Sequence, residues 1–311
     1  MRSDKGLALP FLIALLVLSL MAGSCTSYEE NEKNWPDTFK RGTIHISADE
    51  SFKPIIDAQV QVYESNQPDA KIIVHYKPEA ECLKDFIVDS IRMIIATRGF
   101  TKGEGNFIAD SLKLEPKQMV VARDAVVVIV NPLSPDSLFT MEELKQILTG
   151  RFNKKLIPVF DGVKATSTVR FIVDSVLKND SLAPGTMAAR TSEGVIDYVA
   201  KNPEAIGFIG VSWIGNKDDA TQRNFLQKVK IARLESTDRP GGFVLPYQDN
   251  IFMGIYPMVR DLVYTLKEKH KGLGEGFSDF LAGEKGQMIF RRAYLVPAQR
   301  DFTVRKAELR E

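Results

Sequence analysis

The chain has 311 residues, 44% of them hydrophobic, with 41 basic against 40 acidic side chains and a formal net charge of +1 at pH 7. That balance gives no basic field, so no nucleic-acid partner is expected. Cores beyond roughly 250 residues tend to split, so the length predicts two lobes rather than one.

The first 25 residues fix the compartment. Arg2 and Lys5 supply a positive start, Leu7 to Met21 is an apolar run broken mainly by Pro10 and Ser19, and Ala22-Gly23-Ser24 are small residues ahead of Cys25. The run is short for a membrane span and reads as a lipoprotein signal, residues 1–24, cut before a lipidated Cys25. Ala22 stands where that pattern usually has Leu, and a plain secretory peptide or an uncleaved anchor is the alternative reading. All of these put the folded body outside the cytoplasm. Removing residues 1–24 leaves the remainder formally neutral. With Cys25 acylated, Cys82 has no intrachain partner. Residues 25–41 are polar and poorly periodic, as a tether from the lipid to a globule would be.

Strand-like and helix-like runs then alternate, which predicts an α/β fold. Gly42 to Ser47, Ala70 to Tyr76 and Ile91 to Thr97 read as strands; Pro54 to Tyr63 and Glu79 to Val88 read as helices between them. Asp124 to Val130 is a continuous apolar run suited to a strand covered on both faces, ended by Asn131-Pro132. Thr140 to Leu148 is an amphipathic helix, with Thr140 and Glu143 at capping-box spacing and Gly150 at its end. Ile157 to Phe160 is a strand, Ser167 to Leu177 and Ser192 to Lys201 are helices, and Ala205 to Val211 is a strand. After Phe243 to Gln248, two long helices are expected, Pro257 to Lys269 and roughly Phe277 to Arg292, then a strand-like Tyr294 to Pro297.

Three polar loops fall between a strand and a helix: Ser47 to Ser51, containing Asp49 and Glu50; Thr97 to Thr101, containing Arg98; and Thr166-Ser167-Thr168, followed by Arg170. Loops at the carboxyl ends of strands face the ligand crevice of an open α/β sheet, and helix starts there present unpaired N–H groups suited to oxyanions. Ser, Thr and Asp also cap helices whatever the function, so each loop alone is better read as a cap, while three such starts with Arg98 and Arg170 in one chain bring the anion reading level with it. Enzyme chemistry finds little support. His45, His75 and His270 lack metal-ligand spacing, no nucleophile-elbow motif is present, and Cys82 lies inside an apolar helical pattern. No metal or cofactor is expected.

Several phrases in order carry a resemblance. Thr43 to Pro54 resembles the first ligand loop of the phosphate-binding proteins of ABC transporters. Ile94 to Glu104 is similar to their second loop, Asp124 to Pro132 to their crossing strand, and Phe139 to Arg151 to the helix opening their second lobe. Pro203 to Gly210, Tyr256 to Arg260, Phe277 to Phe280 and Gly286-Gln287 match later landmarks. The resemblance covers roughly Gly42 to Gln299. It implies a two-lobed type II periplasmic-binding-protein fold with the ligand cleft between the lobes. Lobe one would hold 42–128 plus 252–311, and lobe two 129–251. It implies capture of inorganic phosphate, delivery to ABC permease subunits, a monomer anchored in a bacterial membrane by lipid, and no catalysis. Asp49, Glu50, Ser51, Thr97, Arg98, Thr166, Ser167, Thr168 and Arg170 then stand at the anion, with Arg98 the expected principal cation. Either Ser167 replaces the family glycine or the register of that loop shifts by one, and Glu50 replaces a hydroxyl residue. Asp49, Glu50 or Asp161 could accept a proton from phosphate. Another tetrahedral oxyanion such as sulfate or molybdate, or a ligand-free sensory or adhesion module, are the alternatives.

Overall fold

The computed structural model of the protein describes residues 35–162, 166–216 and 218–298. The expected signal, Cys25, most of the expected tether and residues 299–311 lie outside them. Of the tether's last residues, Asp37 and Thr38 are already buried.

β1 (Arg41–Asp49) leads through a 3-10 turn over Glu50–Phe52 into α1 (Lys53–Asn66), which carries Pro54 in its first turn, where the missing N–H has no intrahelical acceptor anyway. β2 (Asp69–Lys77), α2 (Glu79–Asp85), β3 (Ile91–Ala96) and α3 (Lys102–Leu112) follow, and then the 14-residue β4 (Lys117–Val130). Next come β5 (Leu138–Phe139), α4 (Met141–Thr149), β6 (Ile157–Phe160), α5 (Ser167–Phe171), β7 (Met187–Ala188), α6 (Ser192–Lys201) and β8 (Ala205–Gly210). The chain finishes with α7 (Ala220–Lys228), β9 (Lys230–Ile231), β10 (Arg233–Glu235), β11 (Phe243–Val244), α8 (Gln248–Phe252), β12 (Val259–Leu266), α9 (Leu273–Ala282), α10 (Glu284–Arg292) and β13 (Val296–Pro297).

The main sheet has the order β2-β1-β3-β12-β4-β8-β6-β7. β1 pairs parallel with β2 and β3, which the intervening α1 and α2 crossovers require. β4 changes partners along its length: residues 117–125 pair antiparallel with β12, and residues 126–130 pair antiparallel with β8. β6 joins β8 in parallel beyond it. Val126 to Val130 and all of β8 are buried, as expected of strands covered on both faces. Each such apolar side chain contributes on the order of 1.5–3 kcal/mol by leaving water.

The expected helix starts are realised in detail. Thr140 accepts from the Glu143 N–H while the Glu143 carboxylate accepts from the Thr140 N–H, and Gly150 closes α4 in the left-handed region at φ 72°. Three expectations change. Pro257 to Lys269 is not a helix: β12 occupies it, between β3 and β4. The helix expected over roughly Phe277 to Arg292 is two, α9 and α10, turning at Gly283. A Cβ on Gly286 would lie 2.2 Å from the Phe280 carbonyl oxygen, so only glycine permits the close approach of α10 to the end of α9. The helix expected over Ser167 to Leu177 is α-helical only to Phe171 and widens into a π-type run over Ile172–Leu177, closed by the Lys178 N–H on the Val173 carbonyl at 2.8 Å. α3, α7 and α8 lie in stretches for which no helix was assigned from the sequence.

Cys82 is fully buried in α2, its Sγ donating to the Lys77 carbonyl at 3.5 Å. Among the described residues no helix is long and apolar enough to cross a membrane.

Candidate functional site

A buried polar cluster forms where the end of β1 meets the loops after β6 and β8. Asp49 closes β1 and caps the following turn, its Oδ1 accepting from the Ser51 N–H at 3.0 Å. Its place as N-cap explains why a carboxylate is tolerated at the end of a buried strand. The Ser51 hydroxyl then reaches Asp161 Oδ2 at 3.1 Å, Ser167 Oγ at 3.3 Å and Thr168 Oγ1 at 3.4 Å. Asp161 follows β6, while Ser167 and Thr168 begin α5 behind the N-cap Thr166. The Ser51 carbonyl is gripped from the turn after β8, by Trp213 Nε1 at 2.9 Å and Ser212 Oγ at 3.4 Å.

The cation of this cluster is Arg260. It stands directly opposite Asp124 in the β12–β4 pairing, and its Nε donates to Asp124 Oδ2 at 2.8 Å, with side-chain exposures of 3% and 0%. Its Nη1 donates to Ser167 Oγ at 3.1 Å and Thr168 Oγ1 at 3.3 Å, and the Phe52 ring covers the guanidinium at 5.0 Å. Among the described residues, Arg260 Nη2, Asp49 Oδ2 and Asp161 Oδ1 are buried atoms of this cluster without a hydrogen-bond partner. Such atoms are rare in folded proteins because each carries a desolvation penalty of about 1–3 kcal/mol. The cluster therefore holds one donor and two acceptors with unused capacity. Gly210 backs it: a Cβ there would lie 3.2 Å from Arg260 Nη2 and 3.3 Å from Asp124 Oδ2.

Three carboxyls, Asp49, Asp124 and Asp161, feel the charge of that one guanidinium, and Glu50 lies beside Asp161 and Asp49. Burial pushes Asp49 up to about 7 despite the Arg260 charge, and burial together with the Asp161 charge pushes Glu50 up to about 7. Burial also raises Asp124 and Asp161 above the usual carboxylate range, outweighing Arg260. Glu50 reaches across to the start of α6, accepting from the Ser192 N–H at 3.4 Å and its hydroxyl at 3.2 Å; the same hydroxyl is 3.2 Å from Asp161 Oδ2.

A second cluster adjoins the first. Glu79, at the start of α2, accepts from the Thr97 N–H at 3.0 Å, the Thr97 hydroxyl, and Arg170 Nε at 2.5 Å and Nη2 at 3.3 Å. Burial alone would raise its carboxyl, but these hydrogen bonds outweigh it and hold Glu79 below the usual range. Arg170 also donates to the Thr97 hydroxyl at 2.6 Å and to Asp174 at 3.2 Å.

Of the residues singled out in the sequence, Asp49, Ser51, Ser167 and Thr168 meet at Arg260, with Thr166 as the cap and Glu50 on the rim. Thr97 and Arg170 meet at Glu79 instead. Arg98 joins neither: its guanidinium forks onto Glu104 at 2.8 and 3.1 Å and donates to the Gly99 carbonyl, at 33% exposure. The capping carboxylate of α3 captures it. Arg260, Asp124, Glu79 and Ser192 were not singled out. The signal for Arg260 and Asp124 was a charge inside each of two apolar runs that pair as strands.

Asp37, Glu268 and His270 also bring ligand-type atoms within 4.8 Å of one another. Arg92 bridges the two carboxylates, at 3.1 and 3.3 Å, while the Leu273, Gly274 and Glu275 N–H groups take their other lone pairs. That group anchors the start of α9.

Residues 36–285 match the family model described as a PBP superfamily domain. The chain belongs to the PBP superfamily. Its mixed α/β architecture is the type II periplasmic-binding fold that the sequence resemblance implied. Among solved structures, this PBP-superfamily chain is similar to a protein from Clostridium perfringens assigned as a phosphate ABC transporter substrate-binding protein, with bound phosphate. The identity is 20% over 83% of this chain and 100% of that one, at a TM-score of 0.69. An ABC-type phosphate transport receptor from Vibrio cholerae matches at 18% identity over 81% of this chain and 99% of that one, with a TM-score of 0.61. PstS from Borrelia burgdorferi matches at 19% identity over 82% and 98%, with a TM-score of 0.51. No curated protein matches the chain.

Proposed function

We propose that this protein is an extracytoplasmic solute-binding protein that captures inorganic phosphate between two lobes and delivers it to an ABC importer, held to a membrane by lipid on Cys25, with no catalysis of its own. Lobe one takes 42–128 and 252–311, lobe two takes 129–251, and the cleft lies at the Arg260 cluster. One observation carries the reading: hydroxyls from the end of β1 and the start of α5 converge on a buried guanidinium with an unused donor, beside two carboxylate oxygens with unused acceptor capacity. A tetrahedral oxyanion that keeps a proton near neutral pH can take the donor and give its own hydrogen to an acceptor. Phosphate does so wherever Asp49 or Asp161 is ionised, and there fully ionised sulfate or molybdate, with no hydrogen to give, would be repelled. Two of the structural relatives, from Clostridium perfringens and Vibrio cholerae, are named for phosphate transport, which supports this choice.

Calorimetry on protein stripped of bound anion tests it. Phosphate should bind, with sulfate and molybdate at least a hundredfold weaker. Tighter sulfate or molybdate binding would overturn the choice of anion, and no binding of any oxyanion would favour the ligand-free interaction module.

A further inference from the structure

We propose that Thr97 and Arg170 form a second oxyanion subsite which the protein fills with its own Glu79 carboxylate, and that this internal anion limits the cleft to cargo bearing one small anionic group. The proposal rests on the reading of the Arg260 cluster as an oxyanion site. It starts from the donor set. A guanidinium edge, a backbone N–H and a hydroxyl converge on one carboxylate whose side chain is 2% exposed. These are the groups that recognise carboxylates and phosphates wherever planar or tetrahedral oxyanions bind. Here every one of them is spent on a residue of the protein.

The two subsites adjoin at the start of α5. Ser167, which bonds Arg260, and Arg170, which bonds Glu79, are three residues apart at the start of α5, on the same side of one turn. Asp49 lies within electrostatic reach of Glu79. A ligand seated at Arg260 and carrying a second anionic group a few ångströms away would therefore meet the charge of Glu79 rather than free donors. A single phosphate group avoids that conflict. Glu79 thus selects by size and charge together, without touching the bound phosphate.

The test uses wild type, Glu79→Ala and Glu79→Gln, with phosphate, diphosphate and formate as probes. Diphosphate affinity should rise at least tenfold in Glu79→Ala, where the donors are released, and severalfold in Glu79→Gln, where the charge is gone but the volume stays. Formate, the smallest carboxylate, should raise the melting temperature of Glu79→Ala and leave that of wild type unchanged. If Glu79→Ala does not fold, Glu79→Gln alone decides through diphosphate. No gain of diphosphate affinity in either variant, with formate acting equally on all three proteins, overturns the proposal. Wild type that binds no phosphate, together with Glu79→Ala rescued by formate, would refute the phosphate reading and leave the subsite standing. Phosphate binding to wild type with no change in the variants would do the reverse.

Discussion

Arg260 and Arg98 each face a carboxylate, yet they occupy opposite environments. Arg98 is one-third exposed, and both edges of its fork are used on Glu104 and its own loop. Arg260 is buried, pairs with Asp124 through Nε, offers Nη1 to two hydroxyls and keeps Nη2 unused. A charge in solvent is already satisfied by water, so its pairing is worth little. A charge sealed in the interior needs partners, and any capacity left over is available to a ligand. On the proposed phosphate reading, enclosure is thus a better guide to a binding cation than position in a loop.

The largest effect expected from this contrast is at Arg260 itself. Arg260→Ala should abolish phosphate binding and lower stability by about 3–5 kcal/mol, because Asp124 would be left buried and uncompensated. Urea denaturation checks the stability, and Arg260→Met combined with Asp124→Leu should recover much of it without recovering binding. A single variant that binds phosphate normally would end the distinction between the two arginines.

Protonation provides the next test. Asp49 has a folded pKa of about 7, above its ordinary 3.8, so its contribution to stability is full below 3.8 and is lost as pH rises through 7. In phosphate-free buffer, wild type should therefore lose about 2 kcal/mol relative to Asp49→Asn between pH 5 and pH 7.5. Glu104, which shifts the other way and owes its shift to Arg98 and Thr101 rather than to Asp49, is common to both proteins and cancels in the difference. A pH-independent gap between the two would show that Asp49 is ionised throughout.

Smaller effects should follow from the backing of the cluster. A methyl group on Gly210 must displace Arg260 Nη2 and Asp124 Oδ2 by a few tenths of an ångström. Gly210→Ala is expected to weaken phosphate binding about tenfold while costing about 1 kcal/mol or less of stability, the affinity loss itself being about 1.4 kcal/mol. Least of all, Arg98→Ala should change affinity by less than about twofold and stability by under about 0.5 kcal/mol. A large loss at Arg98 would reverse the contrast from which these expectations start.

Most of the framework was legible in the sequence, because capping residues and runs of β-branched side chains act locally. Thr140, Glu143 and Gly150 marked both ends of α4, and Ser192 and Lys201 bounded α6. The site was legible only in its loops. Val259, Leu262, Val263 and Leu266 fall at i, i+3, i+4 and i+7, the spacing of a helix, but they belong to a central strand whose two covered faces erase the usual alternation. Read as a helix, Arg260 lies beside Asp261 on a polar face. In the strand it shares a side with the buried Leu262 and Tyr264 and meets Asp124 across the sheet. That pairing joins residues 136 positions apart, so no local pattern could announce it. Arg98 stands apart from the cluster for a nearer reason: Glu104, read only as part of a loop, caps α3 and binds the guanidinium as well.

The burial of Cys82 makes α2 its own timekeeper. The thiol is enclosed, and burial raises its pKa, so the thiolate needed for reaction forms only when the helix lifts away from β1 and β3. α2 begins at Glu79, and it cannot lift without releasing Thr97 and Arg170. In a Cys25→Ser chain, where Cys82 is the single thiol, the labelling rate by a thiol reagent would count those releases directly. Comparing that rate with and without solute converts one hidden sulfur into a measure of how often the cleft's internal anion lets go.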